Sequence, residues 1–248
     1  SYNQNYPLTR TVAATVVADA QGVPASRSAT EYTPYVRATG GQGTPIYEVL
    51  QTAATYTQYL AGAVDFVIGQ RFAYDDYGGR TLHANLGVVD PATGLPRDPS
   101  QAVYHWASYQ NDLRQSGWSL GFVRYTKDSP DAQNPDITRF LPGDYHLASR
   151  SYDDIYNVAS EQRWDDTQGA WLTREYAYDE YGNRVRETQP GGATTTRTYD
   201  PDHHTFLMSE TAPPDAEGRA LVVAHGFDPR FGVEVARQGA NAAITITA

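Results

Sequence analysis

An aromatic residue followed by Asp and then by turn-forming residues recurs along this chain, and that recurrence constrains the fold more than any other feature. Tyr74-Asp75-Asp76-Tyr77-Gly78-Gly79-Arg80 is one copy, and Tyr178-Asp179-Glu180-Tyr181-Gly182-Asn183-Arg184 is nearly the same. Degenerate copies begin at Tyr152-Asp153, Tyr199-Asp200 and Phe227-Asp228. From Tyr152 to Phe227 the copies, including Tyr178 and Tyr199, are spaced by 26, 21 and 28 residues. A unit of that length has room for a hairpin and a connection. Such a unit cannot bury its own faces and must stack on its neighbours.

The residue types fit a turn for physical reasons. Asp is favoured at the first position of a type I turn, because its carboxylate accepts a backbone N–H two residues on. Pro is favoured second, where Pro201 and Pro229 stand. Gly is favoured fourth, where positive φ lets the chain return as a bulged hairpin, and Gly78 and Gly182 stand there. The spacing places His203 in that slot of the Tyr199 copy. Tyr156 and Phe231 fall there in two others, an unfavourable choice, so those turns are expected to slip onto Asn157 or Gly232. The structural turn positions are therefore Tyr74, Asp75, Gly78, Tyr152, Asp153, Tyr178, Asp179, Gly182, Tyr199, Asp200, His203, Phe227, Asp228 and Gly232.

Strands fill the intervals. Tyr176 and Tyr178 alternate with Glu175 and Ala177, and Arg184 and Arg186 alternate with Val185 and Glu187. Gln189-Pro190-Gly191-Gly192 turns the chain again. Nearer the N-terminus, Thr9–Val17, Tyr32–Arg37, Ile46–Val49 and Val64–Ile68 are β-branched stretches divided by Gly and Pro. Residues 90–99 and 128–136 read as loops. Ser100–Gly117 is open to two readings: Val103, Trp106 and Leu113 could share a helix face capped at Ser100 and Gly117, yet Tyr104, Trp106 and Ser108 alternate as in a strand. The strand-rich surroundings favour the second.

Leu, Val, Ile and Phe fall below the roughly 20% that accompanies disorder. Disorder is opposed by 19 Tyr, 4 Trp and a net charge of only −10 over 248 residues. With 21 Gly and 15 Pro, this is the composition of short strands joined by many turns. The acidic balance disfavours nucleic acid as a partner. The absence of Cys excludes disulfides, thiolate metal sites and a cysteine nucleophile. No apolar run is long enough to insert in a membrane as a helix, and Ser1-Tyr2-Asn3-Gln4 is unlike a signal segment. The chain lacks an initiator Met, so a processed protein or a piece of a longer one is expected.

Residues 176–200, from Tyr176-Ala177-Tyr178-Asp179 to Arg197-Thr198-Tyr199-Asp200, resemble the YD repeat, also called the RHS repeat: Tyr-Asp, two variable residues, Gly-Asn/Arg, a strand, a Gly turn, then Tyr-x-Tyr-Asp. The run from Phe140-Leu141-Pro142-Gly143-Asp144-Tyr145 to Phe227–Gly232 is similar to the middle of the B component of insecticidal Tc toxin complexes and their SpvB-like relatives. The resemblance is strong over about residues 140–235 and weaker back to about 35. It implies a YD-repeat region at 140–248 preceded by an irregular β region at 1–139. It also implies a long sheet that spirals into a hollow shell around a cytotoxic segment, and a secreted bacterial protein. The family's autoproteolytic core is not matched, since Asp200-Pro201 and Asp228-Pro229 are turn elements of ordinary repeats.

Several constellations could carry chemistry. Asp75-Asp76 and Asp153-Asp154 could be paired carboxylates for glycoside hydrolysis, but turn capping explains why each pair follows Tyr. His203-His204, with Asp200 and Asp202 nearby, could hold a metal, though neighbours on a strand face opposite ways. Asp128, Asp131, Asn134 and Asp136 form an oxygen-rich loop without the spacing of a helix-loop-helix calcium site. Trp106, Trp118, Trp164 and Trp171 could stack on sugars. No nucleophile elbow and no phosphate loop occur, and Lys127 is the only lysine.

The sequence thus predicts an all-β fold of antiparallel hairpins in an extended, curved sheet. The function that the resemblance implies is structural: a shell-wall segment that encloses or escorts a polypeptide cargo by steric exclusion, with no catalytic residue and no cofactor or metal expected. Expected partners are the remaining parts of a longer shell and its cargo, and self-association is expected through exposed sheet edges such as Ala242–Ala248. A secreted or cell-surface glycan-binding β module is the alternative.

Overall fold

The structure is a computed structural model that describes residues 13–39, 45–112, 119–132, 136, 141, 143–239, 241 and 243–246. The expectations for Thr9–Val12, Leu113, Gly117, Trp118, Asn134, Phe140, Pro142, Ala242, Thr247 and Ala248 lie outside the described residues.

The chain forms two units, Ser1–Leu147 and Ala148–Ala248. The first unit is an antiparallel meander: β1 (Ala14–Ala18), β2 (Pro24–Thr39), β3 (Pro45–Leu60), β4 (Ala63–Tyr74), β5 (Arg80–Val88), β6 (Val103–Asp112) and β7 (Ser119–Ser129). Each strand pairs with the next. Over its described residues, 100–112, the Ser100–Gly117 segment resolves in favour of strand, with one 3-10 turn at Pro99–Gln101 started by Asp98, whose side chain accepts the Ser100 N–H. In the second unit β8 (Tyr145–Tyr152, which starts within the first), β9 (Val158–Asp165), β10 (Ala170–Tyr178), β11 (Arg184–Thr188), β12 (Thr194–Tyr199), β13 (Leu207–Thr211), β14 (Val222–Asp228), β15 (Val233–Gln238) and β16 (Ile244–Ile246) again pair in chain order. The all-β, antiparallel expectation is met, and no α-helix occurs among the described residues.

The units are stabilised differently. The first has a small apolar core of Val67, Ala84, Leu86 and Val89, flanked by Leu82 and Tyr104. Val89, at the start of loop 89–102, completes it, its N–H donating to the Val67 carbonyl at 2.8 Å. Gly69 is needed beneath that loop, since a Cβ there would lie 2.8 Å from Val89 Cγ1. Lys127 is fully buried in the same unit, its Nζ donating to the Asp136 carbonyl at 2.8 Å with Asp144 Oδ2 at 3.7 Å. A buried ammonium persists only with such partners.

No apolar residue described in the second unit is buried. There the sheet faces carry cross-strand polar pairs. One set is a chain of alternating charges: Arg150–Glu161 at 2.7 Å, Glu187 reached by Arg174, Arg184 and Arg197 at 3.3–3.7 Å, and Arg197–Glu210 at 2.8 Å. The hydrogen bond from Arg150 leads the influences that hold the Glu161 carboxyl below its usual range. Another set pairs hydroxyls, Ser151 with Ser160 and Thr198 with Ser209, both at 2.7 Å.

Candidate functional site: the Asp turns and their Tyr anchors

Five turns share one geometry. Asp19, Asp75, Asp153, Asp179 and Asp215 each accept, through Oδ1, the backbone N–H groups two and four residues on, at 2.7–3.0 Å. Each Asp carbonyl accepts the N–H three residues on at 3.0–3.1 Å, and each Asp N–H donates to the carbonyl four residues on. One carboxylate thereby satisfies two amides that the hairpin ladder leaves unpaired. The residue at the fourth position has positive φ: Gly22 at 80°, Gly78 at 86°, Gly182 at 85°, Gly218 at 79° and, against its steric preference, Tyr156 at 67°.

Asp90, Asp165, Asp200 and Asp228 start a longer turn, in which the N–H four residues on donates to the Asp carbonyl at 2.8–3.1 Å. Positive φ then falls one place later, on Gly94 (66°), Gly169 (62°), His204 (54°) and Gly232 (65°).

Two sequence expectations need correction. The residue with positive φ after Asp200 is His204, not His203, because the Pro201 turn is one residue longer than the Gly182 turn. His203 instead donates its backbone N–H to Asp200 Oδ2 at 2.6 Å. The Tyr152 turn does not slip onto Asn157: Tyr156 itself takes the left-handed conformation, and Asn157 donates Nδ2 to Asp153 Oδ2 at 3.0 Å. The Phe227 turn does shift onto Gly232. The Asp19 and Asp215 turns were missed because Ala18 and Pro214, not aromatics, precede them. An Asp-x-x-Gly search would have found both.

The tyrosines have a role that spacing does not reveal. The Tyr74 hydroxyl donates to the Gln51 carbonyl at 2.8 Å, and the Tyr178 hydroxyl to the Val158 carbonyl at 3.1 Å. Each thus ties the end of its strand to the strand before it, beyond the last ladder pair of the two, Ala53–Arg71 and Ser160–Glu175. Burial pushes the phenol pKa of Tyr74, Tyr152 and Tyr178 up.

Neighbouring turns also bind each other. Asn183 Nδ2 reaches the His204 carbonyl at 2.6 Å, and the Tyr181 and His204 rings stack at 3.7 Å. In the first unit Asn111 Nδ2 donates to Asp75 Oδ2 at 3.0 Å, and Arg37 donates to the Asp76 carbonyl while pairing with Glu48.

One member of each carboxylate pair, and both histidines of the His203-His204 pair, take part in contacts of this kind. Asp75 and Asp153 are turn caps, and His203 and His204 point to different partners, Asp200 and Tyr181. Among the described residues no group of three or more His, Asp or Glu is placed to hold a metal ion. Asp128, from the oxygen-rich loop, pairs with His105 and His146 instead. Trp164 and Trp171 pack edge to face across β9 and β10, with ring centroids 5.6 Å apart. Asp200 is buried, and that burial, its largest single influence, would raise its pKa. The amides of Phe206, Thr205 and His203 together outweigh it and hold the carboxyl far below the usual range.

A meander of Asp-capped hairpins, anchored by tyrosine hydroxyls and tied turn to turn, is the class of fold that these residues define. It is also a fold found within Tc toxin chains. The chain matches the crystal structure of TcdB2-TccC3-Cdc42 over 97% of its length, with a TM-score of 0.69 and 11% identity. It matches TcdB2-TccC3 with a TM-score of 0.67 and 12% identity, and TcdB2-TccC3 without its hypervariable C-terminal region with 0.67 and 10%, again over 97% of its length. It spans 16% of the length of each of those chains. No protein-family model and no curated protein matches the sequence.

Proposed function

We propose that this chain is a wall segment of a secreted bacterial toxin-complex shell, one that encloses or escorts a polypeptide cargo. The observation that carries the reading is the tie between two successive turns, Asn183 to the His204 carbonyl and Tyr181 on His204, by which the Asp179 hairpin supports the one that follows it. A sheet propagated in that way has no built-in limit on its length, which is what a wall requires. The fold shared with TcdB2-TccC3 chains supports the same reading. On this reading the work is steric: the wall keeps cargo from solvent and proteases, and no side chain is assigned a catalytic role. The partners are further repeats of the shell and the cargo itself.

Protease protection tests the reading. The protein is expressed with its natural flanking sequence and digested with trypsin with and without urea. The reading expects a segment cut only after the wall is unfolded; cleavage of every segment at the rate of a free peptide refutes it. The outer edge of β16 offers a second check. Ile244 and Ile246 are exposed there, on a strand with neither charge nor proline. The chain alone is expected to self-associate in sedimentation velocity, and Ile244→Lys with Ile246→Lys to reduce it. A clean monomer at high concentration, unaltered by the two lysines, or saturable glycan binding that depends on Trp164 or Trp171, favours a self-contained domain instead.

A further inference from the structure

The β5–β6 ladder is short, running from Leu82–Trp106 to Asn85–Val103, whereas β4–β5 extends from Ile68–Val88 to Tyr74–Arg80 and β6–β7 from Tyr104–Ser129 to Asp112–Ser119. Within it His83 and His105 stand directly opposite each other, with ring centroids 5.5 Å apart. His83 also stacks on Phe72 of β4 at 5.0 Å. Asp128 of β7 meets His105 Nδ1 at 2.6 Å through one oxygen and His146 Nδ1 of β8 at 2.9 Å through the other. Among the described residues His83 has no carboxylate partner, and its Nε2 is buried without a hydrogen bond. Trp106 Nε1, in the same ladder, is likewise buried and unpartnered. An open groove of about 350 Å³ runs along the row, lined among others by Arg80, His83, His105 and Asp128.

We propose that the His83–His105 pair makes the β5–β6 ladder an acid-sensitive seam, closed while His83 is neutral and loosened when His83 takes up a proton. The surroundings offer a second proton on His83 almost nothing. On its own strand it meets Arg80, whose guanidinium lies 5.8 Å from the Phe72 ring. From β6 it meets His105, and from β4 the uncharged Phe72 ring. Asp128 is committed to His105 and His146. Tyr109 donates its hydroxyl to the Arg80 carbonyl, and Asp75 is taken up by its own turn and Asn111. Like charges directly opposite in a ladder destabilise it. Burial first, then the charges of Arg80 and His105, hold the His83 pKa below its ordinary 6.5. A base whose pKa is lowered by folding contributes stability that is present above about pH 6.5 and lost as pH falls. The groove gives water a route to the rings as the seam loosens.

Hydrogen exchange by mass spectrometry on the full chain at pH 7.5 and pH 5.5, corrected for intrinsic rates, tests this. Peptides covering residues 80–86 and 103–107 should gain exchange several-fold on acidification, relative to those from β3 and β7. His83→Phe keeps the stacking surface without a titrating group and should abolish the gain. If the Phe variant does not fold, His83→Gln supplies the same uncharged comparison. An equal gain in wild type and in the uncharged variant, or a gain no larger in β5–β6 than in β3, overturns the proposal.

Discussion

Asn183 Nδ2 donates to the His204 carbonyl at 2.6 Å and to Asp179 Oδ2 of its own turn at 3.0 Å. One amide therefore closes a turn and fastens the next one to it. The Tyr181 ring, lying on the His204 imidazole at 3.7 Å with 7° between their planes, covers the junction. With no described apolar residue buried in the second unit, such polar and stacking ties take the place of a hydrophobic core.

The tyrosine anchors should contribute individually. Tyr178→Phe removes the donor to the Val158 carbonyl and Tyr74→Phe the donor to Gln51, with little change of shape. Each should cost about 1 kcal/mol, and because the two sites lie in different units their effects should add. Urea unfolding of the singles and the double checks this; a neutral pair would deny the hydroxyls any part in holding the strands.

Gly182 and Gly78 share a backbone conformation, φ 85° and 86°, but not a neighbourhood. A Cβ at Gly182 meets nothing within 4 Å, whereas at Gly78 it would lie 2.8 Å from Glu48 Oε1, while Arg37 holds the same carboxylate through Oε2 at 2.6 Å. Gly182→Ala should cost about 1 kcal/mol from backbone strain alone. Gly78→Ala should cost more, and the excess should vanish in a Glu48→Ala background. Equal costs in both backgrounds would mean that Glu48 does not confine the turn.

These turns also show what could be read beforehand. The Asp-capped type I turn with Gly at its fourth position depends on five consecutive residues, so the Tyr74 and Tyr178 copies were legible in the sequence. The His204 slot was not, because Pro201 is compatible with a turn of either length and only the observed hydrogen bond from the His204 N–H to the Asp200 carbonyl decides between them. Tyr156 shows the neighbours overriding steric preference: Asn157, held by Asp153 through both its backbone and its side-chain nitrogen, leaves no room to slip. The Tyr178–Val158 bond and the His83–His105 pair depend on strand register over 20 or more residues, which no local pattern encodes.

Acid should act on the turns in a window separate from that of His83. Hydrogen bonds from turn amides hold Asp200 below its ordinary 3.8 despite the opposing effect of burial, its largest single influence, and Asp179 behaves alike through Asn183 and Tyr181; at Asp215 the Arg219 amide is the leading cause. A carboxyl whose pKa is lowered by folding adds stability that is present above about pH 3.8 and lost as pH falls through the folded value. Unfolding midpoints should therefore drop steeply below pH 4, and Asp200→Asn should make that drop shallower. A slope that Asp200→Asn leaves unchanged would place the acid response elsewhere.

Hydrogen exchange on Gly182→Val at neutral pH tests most directly whether each hairpin stands on its neighbours. The valine strains the turn that joins β10 to β11, and through Asn183 the turn that follows β12. A nearest-neighbour array predicts lost protection from about residue 170 to 211, fading with distance, while Val67, Ala84 and Leu86 in the first unit exchange as in the unaltered protein. Uniform loss across residues 53–129 as well as 170–211 would show one cooperative core and contradict the account.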